Sequence, residues 1–325
     1  MEKEIDWIDA VRTLCILMVF FAHSVEISGQ GIPDWLYRLY DPVYVNAFFF
    51  VSGYLLLGKR PSASKLSGNI LFRLVIPSVI FATIEFFPKM LLRGNGFSLS
   101  AFMADTLLGG TYWFVSALAV AQLLFMLLFL TKIRNIWFYV VCSVVLATAG
   151  MLIEASGVVL IGENDCLPWS YKQGLVCTLY MAAGGVYQRY EKNLSLPAWL
   201  LVLLILVYLA GSIWNPEFIG GYSAYRCYIT RMGFVWSILG TVCFVEICKR
   251  LPRMRALTFV GRNSILFYMM SGALPTVFAA LLGRWTAVNV FTFLLIFILS
   301  VAVAYSLSAL IVKYLPFIKD FRALK

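Results

Sequence analysis

The chain has 325 residues, of which 62% are hydrophobic and 13% charged, with a formal net charge of +10 and a mean hydropathy of +0.87. That balance is too apolar for a soluble domain, and no polar stretch is long enough to build one, so the chain reads as a single integral-membrane domain, residues 1–325. It also argues against a nucleic-acid partner, because the Lys and Arg residues lie in short loops between apolar runs rather than on one patch.

Ten apolar runs approach the roughly 20 residues that span a bilayer. They cover 9–29, 40–58, 70–91, 108–131, 136–156, 173–190, 196–214, 228–248, 262–283 and 287–314. The expected fold is an all-α polytopic membrane protein of about ten transmembrane helices. Alternate loops separate by charge. One side collects Lys59, Arg60, Lys65, Lys132, Arg134, Arg189, Lys192, Lys249, Arg250, Arg253, Arg255 and the cations of the tail. The other dilutes its few cations with Asp34, Asp41, Asp105, Glu163, Asp165 and Glu217. The excess of Lys and Arg inside membrane proteins then places both termini in the cytoplasm. The first run follows Glu2, Lys3, Glu4 and Asp6 rather than a basic leader, and is read as a retained helix.

The first run carries the most informative pattern. His23, the only histidine, follows Arg12 by eleven positions. On a helix that returns it to about 20° from Arg12, about 16 Å further along the same face. Asp9 and Glu26 fall near the same stripe. A charge at the bilayer centre costs at least ~2.5–3.5 kcal/mol, so such groups face protein or water. Arg12, near the cytoplasmic surface, suits a phosphate gripped by paired hydrogen bonds. His23, buried deeper, suits proton transfer. The structural alternatives are an Arg12–Asp9 pair at the headgroups and a His23 bond to a neighbouring helix.

In the second run, Ser52-Gly53 permits a close helix contact or a kink, and Ser52 lacks any nucleophile motif. The third opens with Arg73, expected level with Arg12, and carries Glu85 at depth, where it should meet Arg, Lys or His or be protonated. Tyr112 and Trp113 open the fourth, as an interfacial belt or as faces for a sugar. Arg231, near the outer end of the eighth, is a candidate for contacting an acceptor. Five cysteines, Cys15, Cys142, Cys177, Cys243 and Cys248, lie in or beside apolar runs. Spacing leaves a Cys166–Cys227 disulfide open, and no Cys/His cluster suggests a metal. No internal repeat marks a transporter architecture.

Five stretches in order resemble acyltransferase family 3 of integral-membrane enzymes. They are Arg12 and His23 within the run from Ile8; Phe48-Phe49-Phe50-Val51-Ser52-Gly53-Tyr54; Arg73-Leu74-Val75-Ile76-Pro77; Tyr112-Trp113-Phe114; and Gly261 through Tyr268. The chain departs from the family at Ile70, where a second arginine is frequent, which shifts phosphate binding toward Arg12, Lys65 or Arg262. It departs again after Tyr268, where a frequent histidine gives way to Met269-Met270-Ser271.

The resemblance implies transfer of an acyl group, usually acetyl, from cytoplasmic acetyl-CoA to a hydroxyl of a surface polysaccharide or lipid-linked sugar, in a multi-pass protein of a bacterial cytoplasmic membrane in contact with its lipids. On it, Arg12, Arg73, Asp9, Tyr54 and Ser52 serve the donor, and Trp113, Tyr112, Arg231 and Glu85 the acceptor. His23 acts as general base, a role worth ~10²–10⁴-fold, or as covalent acyl carrier, oriented by Glu26. The competing class is a transporter whose path is lined by Arg12, His23 and Glu85. Oligomeric state stays open.

Overall fold

The computed structural model describes residues 6–29, 32–92, 94, 96–161, 167–193, 196–214, 222–223, 228–229, 231–252, 254–283 and 289–324. Their regular structure is helical apart from one antiparallel pair of two-residue strands, with Tyr222 opposite Ile229 and Ser223 opposite Tyr228. The chain divides into two compact units, and the boundary falls between Phe48 and Phe49, inside one helix.

The first unit comprises Met1–Phe48, Leu196–Gly220 and Arg231–Lys319. It holds α1 (Asp6–Ser28) and the first half of α2 (Asp34–Lys59). The same unit holds α9 (Ala198–Trp214), α10 (Arg231–Arg250), α11 (Arg255–Arg262), α12 (Ser264–Met270), α13 (Ala273–Leu282) and α14 (Val290–Tyr314). Between them fall the second half of α2 and, in the second unit, α3 (Ala63–Ile70), α4 (Ile76–Leu92), α5 (Leu99–Thr106), α6 (Trp113–Leu130), α7 (Ile136–Ala155) and α8 (Tyr171–Tyr190).

In the first unit, α1 buries Val11, Cys15, Ile16, Val19, Phe20 and Ser24, a stripe at helical spacing. It meets α11 most closely where Gly261 lies against the Asp9 backbone, a contact that a side chain at 261 would block. Thr13 Oγ1 adds a 2.5 Å hydrogen bond to the Leu257 carbonyl. Within α2, Asn46 is a buried amide in a membrane run. Its Nδ2 donates to the Pro42 carbonyl at 2.7 Å and to Ser237 Oγ of α10 at 2.8 Å, so its polar atoms are satisfied inside protein.

In the second unit, Gly53 and Gly184 let α2 and α8 approach until their backbones touch: Gly53 lies against Met181 and Gly184 against Phe50. The small residues therefore serve a close helix contact rather than a kink. Between α3 and α4 a π-helical turn, Leu71–Val75, carries Arg73. Pro77 has no N–H to offer the Arg73 carbonyl, and the Ile76 amide reaches back five residues to Leu71 instead. Asn135 caps α7 by accepting from the Trp137 amide at 3.0 Å.

Six helices among the described residues are long and apolar enough to cross a membrane: Asp6–Ser28, Ala63–Leu91, Trp113–Leu130, Ile136–Ala155, Met232–Arg250 and Val290–Tyr314. The pair α12–α13, bent by 42°, makes a seventh if it counts as one span. Apolar side chains turn outward along them, among them Leu127, Val141, Val145, Phe291 and Ile298, as lipid contact requires. The remaining apolar runs coincide with α2, α8 and the shorter α9.

Several boundaries differ from the sequence expectation. The second run starts six residues early at Asp34, because the polar turn Asp34–Asp41 is helical. The third extends back to Ala63, where Ser62 accepts from the Lys65 amide at 3.4 Å. The fourth begins only at Trp113, and α5 and α11 were not foreseen.

Candidate functional site

Asp9 and Arg12 stand near the start of α1, within the region covered by α11. Asp9 is buried, and its Oδ2 accepts from Arg262 Nε at 3.1 Å. Arg12 is partly buried, with Asp9 as its charged neighbour, and among the described residues it has no hydrogen bond or ion pair. The alternative reading pairs Arg12 with Asp9; here Asp9 is the charged neighbour of Arg12, but its hydrogen bond and ion pair go to Arg262. Arg262 holds the carboxylate, and among the described residues none of the five N–H donors of Arg12 is engaged.

Two cavities open beside this region. The larger, about 490 Å³, is lined by Arg255, Thr258, Phe259, Arg262 and Asn263. Lys319 Nζ donates to Asn263 Oδ1 at 2.6 Å, adding a third cation to its margin. The smaller, about 300 Å³, lies among Asp6, Trp7, Ala10, Lys249 and Thr258, with the Lys249 ammonium 5.4 Å from the Trp7 ring centre. Cations gathered around a cavity are what a phosphate-bearing ligand requires; the Thr258 hydroxyl and the Asn263 amide donate to the Met254 and Phe259 carbonyls. Of this set, sequence reasoning named only Arg262. Arg255, Thr258, Phe259 and Arg262 follow the i, i+3, i+4, i+7 spacing of one helical face, a signal hidden by reading the segment as a charged loop.

At the other end of α1, His23 Nδ1 lies 3.6 Å from Glu26 Oε2. Glu26 thus lies beside the imidazole, one turn further along α1. The depth is a correction: the His23 side chain is 39% exposed rather than sunk in protein, and Glu26 is 79% exposed. The reason is rotational. Ser24, bonded to the Phe20 carbonyl at 2.8 Å, takes the buried position of that turn, and His23 flanks it. Neither of the two cavities above has His23 on its wall.

The remaining candidates lie in the second unit, except Arg231, whose side chain is outside the described residues. The Cys166–Cys227 pairing that spacing left open is outside them too, and none of the other five cysteines is in a disulfide. Ser52 is partly buried. The Tyr54 hydroxyl donates to Glu191 Oε2 at 2.5 Å. Glu85 accepts from Lys89 at 2.7 Å, one turn along α4, the cationic neighbour its depth required. Tyr112 is buried and Trp113 partly buried at the head of α6, their neighbour Phe114 packing on Phe49 at 5.0 Å. Arg73 is occupied: its Nε donates to Asp320 at 2.7 Å. Among the described residues no His, Cys, Asp and Glu converge as a metal site.

An all-helical chain with six or seven helices of spanning length and apolar outer faces is a multi-pass membrane protein. A family model described as an acyltransferase domain, that of acyltransferase family 3, matches residues 5–309, and the chain belongs to that family. No curated protein and no solved structure matches it.

Proposed function

We propose that this membrane acyltransferase moves an acyl group, acetyl in our reading, from cytoplasmic acyl-CoA to a hydroxyl of a surface polysaccharide or lipid-linked sugar. The observation that carries the reading is the pairing on one helix of an unengaged guanidinium, Arg12, with an imidazole, His23, that already has a carboxylate beside it. The basic cavity at Arg255 and Arg262 supports it by offering a seat for the donor's phosphates next to the Arg12 end of α1.

In this reading ten spans cross a bacterial cytoplasmic membrane and both termini are cytoplasmic, so the cationic end of α1 faces the acyl-CoA pool. Arg12 and Arg262 hold phosphate oxygens, and Asp9 fixes the Arg262 fork. His23 accepts the proton of the attacking hydroxyl, or takes the acyl group first and passes it on. Glu26 steadies the imidazole and stabilises its protonated form. The half-exposed position of His23 suits a group that must meet a substrate. Tyr112, Trp113, Glu85 and Arg231 remain the candidates for the acceptor side.

The test is to incubate purified protein with acetyl-CoA labelled in the acetyl group and an acceptor glycan. The reading expects release of free CoA and label in alkali-labile ester on the glycan. Solute flux across sealed vesicles with no CoA released would replace it with the transporter class.

A further inference from the structure

The first turns of α2 carry a stripe with no part in the acyl-transfer reading. Tyr37, Tyr40, Asp41 and Tyr44 follow the i, i+3, i+4, i+7 spacing of one helical face. Their rings form a ladder. Tyr37 and Tyr40 meet edge to face with centres 5.6 Å apart, and Tyr40 and Tyr44 are again 5.6 Å apart. The Tyr37 hydroxyl donates to the Asp41 carboxylate one turn on. Tyr40 rests on Phe21 of α1 at 5.8 Å, and Phe21 packs on Phe293 of α14 at 5.3 Å. Ser28 ends α1 and Asp34 opens α2, so the stripe stands at the end of α1 that bears His23.

Two features separate this stripe from an aromatic belt at the bilayer surface. A belt turns its rings to lipid headgroups and has no use for a carboxylate, whereas Asp41 sits on the same face as the three rings. A carboxylate turned to hydrocarbon is costly, so this face looks onto protein or water. The stripe is also within reach of a ligand: Tyr37 is 48% exposed, and Tyr40, Asp41 and Tyr44 are partly buried. A carboxylate presents about four acceptor sites, more than the single Tyr37 hydroxyl uses. A sugar ring has an apolar C–H face and a rim of hydroxyl donors. Tyrosine rings match the first, and a held carboxylate matches the second.

We propose that this stripe is a secondary sugar subsite, holding a unit of the acceptor glycan next to the one being acylated. The rings take the C–H face of that unit, and Asp41, steadied by Tyr37, accepts from its hydroxyls. The subsite is secondary for a geometric reason. Phe21, on which Tyr40 rests, precedes His23 by two positions, and two steps of a helix turn it by about 200° with a rise of only about 3 Å. The stripe and the imidazole therefore lie at one depth on nearly opposite sides of α1. A single sugar does not touch both, but a chain of linked sugars does. The inference rests on the acceptor half of the reading above, in which a glycan meets the His23 end of α1. Its consequence is a preference for a polymer over a single sugar, set by Tyr37, Tyr40, Asp41 and Tyr44.

The full chain is purified in a detergent without a sugar headgroup. Binding of maltohexaose, cellohexaose and chitohexaose, and of glucose and N-acetylglucosamine, is read by saturation-transfer NMR for wild type, Asp41→Asn and Tyr37→Phe, with a melting profile for each. Wild type should bind at least one hexamer more tightly than its single sugar. Asp41→Asn should weaken that hexamer ~10-fold or more, the worth of a hydrogen bond to a charged group, and Tyr37→Phe about 3-fold. Wild type that binds no hexamer better than its single sugar overturns the subsite, and so do two variants that both keep the wild-type affinity. Should Asp41→Asn melt early, Tyr37→Phe, at an exposed position, decides alone. If a hexamer binds with this pattern yet no CoA is released from acetyl-CoA in its presence, the acyl-transfer reading fails and the subsite stands. If label reaches the acceptor glycan while the variants bind sugars as wild type does, the subsite fails and the reading stands.

Discussion

Two clusters in this protein have the same composition, two arginines and an aspartate, and opposite arrangements. At the start of α1, Asp9 is buried and takes one guanidinium, Arg262, and among the described residues Arg12 has no hydrogen bond. At the π turn, Asp320 is more open and draws both Arg73 and Arg322 onto itself. The difference is one of competition. A helix backbone fixes Asp9, and Gly261 brings α11 against it at a set distance, so it can neutralise only the partner that the fold delivers. Asp320, bonded to the amide two residues on, sits in a tail segment of short turns and accepts from both Arg73 and Arg322. A guanidinium is available to a ligand when its own carboxylate is held elsewhere.

That contrast is broken most directly at Arg12. Arg12→Gln removes a charged donor with nothing internal to replace it, and the apparent KM for acetyl-CoA should rise ~10-fold or more with kcat less affected, as steady-state CoA release would show. Gly261→Val attacks the support rather than the charge. A branched side chain pressed on the Asp9 backbone should cost about 1–3 kcal/mol in thermal unfolding of the detergent-solubilised protein. Asp9→Asn and Asp320→Asn sharpen the comparison, because one carboxylate is buried and the other more open. The first leaves Arg262 without its fixing partner and should lower stability by about 1 kcal/mol and loosen donor binding. The second unties an exposed cluster and should cost less than about 1 kcal/mol in the same unfolding measurement.

The smallest effect is one of pH. Hydrogen bonds from Arg322, and then from Arg73, hold the Asp320 carboxyl well below the usual carboxylate range despite partial burial, and the same pairing raises Arg322. A depressed acid contributes stability that is complete above the unfolded-state value near pH 4 and is lost as pH falls through the lower folded-state value. The stability difference between wild type and Asp320→Asn should therefore stay flat from pH 8 to 5 and shrink only in stronger acid. A difference that changes near neutrality would show that another group controls the tail.

The sequence carried the helical, membrane-spanning class, because apolar runs of bilayer length leave few alternatives; of the ten runs, six or seven are helices of spanning length among the described residues. It also carried the local logic of single helices: the cation that Glu85 needed and the carboxylate one turn from His23; at Gly53 it left a close contact and a kink both open. What it hid was tertiary. The partner of Asp9 comes from residue 262, and that of Arg73 from residue 320, separations over which spacing gives no signal. The amphipathic face of α11 was present in the sequence but masked by its charge and by Pro252. The depth of His23 was misjudged because a stripe about 20° wide in projection does not say on which side of it the neighbouring helices pack.

The account stands on His23 as the group that handles the reacting hydroxyl or acyl group. The most direct measurement compares wild type with His23→Ala, both folded in detergent by the same melting profile, for label transferred from acetyl-CoA to the acceptor glycan. The account predicts a fall of at least ~10²-fold in transfer, with CoA binding retained through Arg12. Transfer by His23→Ala at the wild-type rate would contradict it.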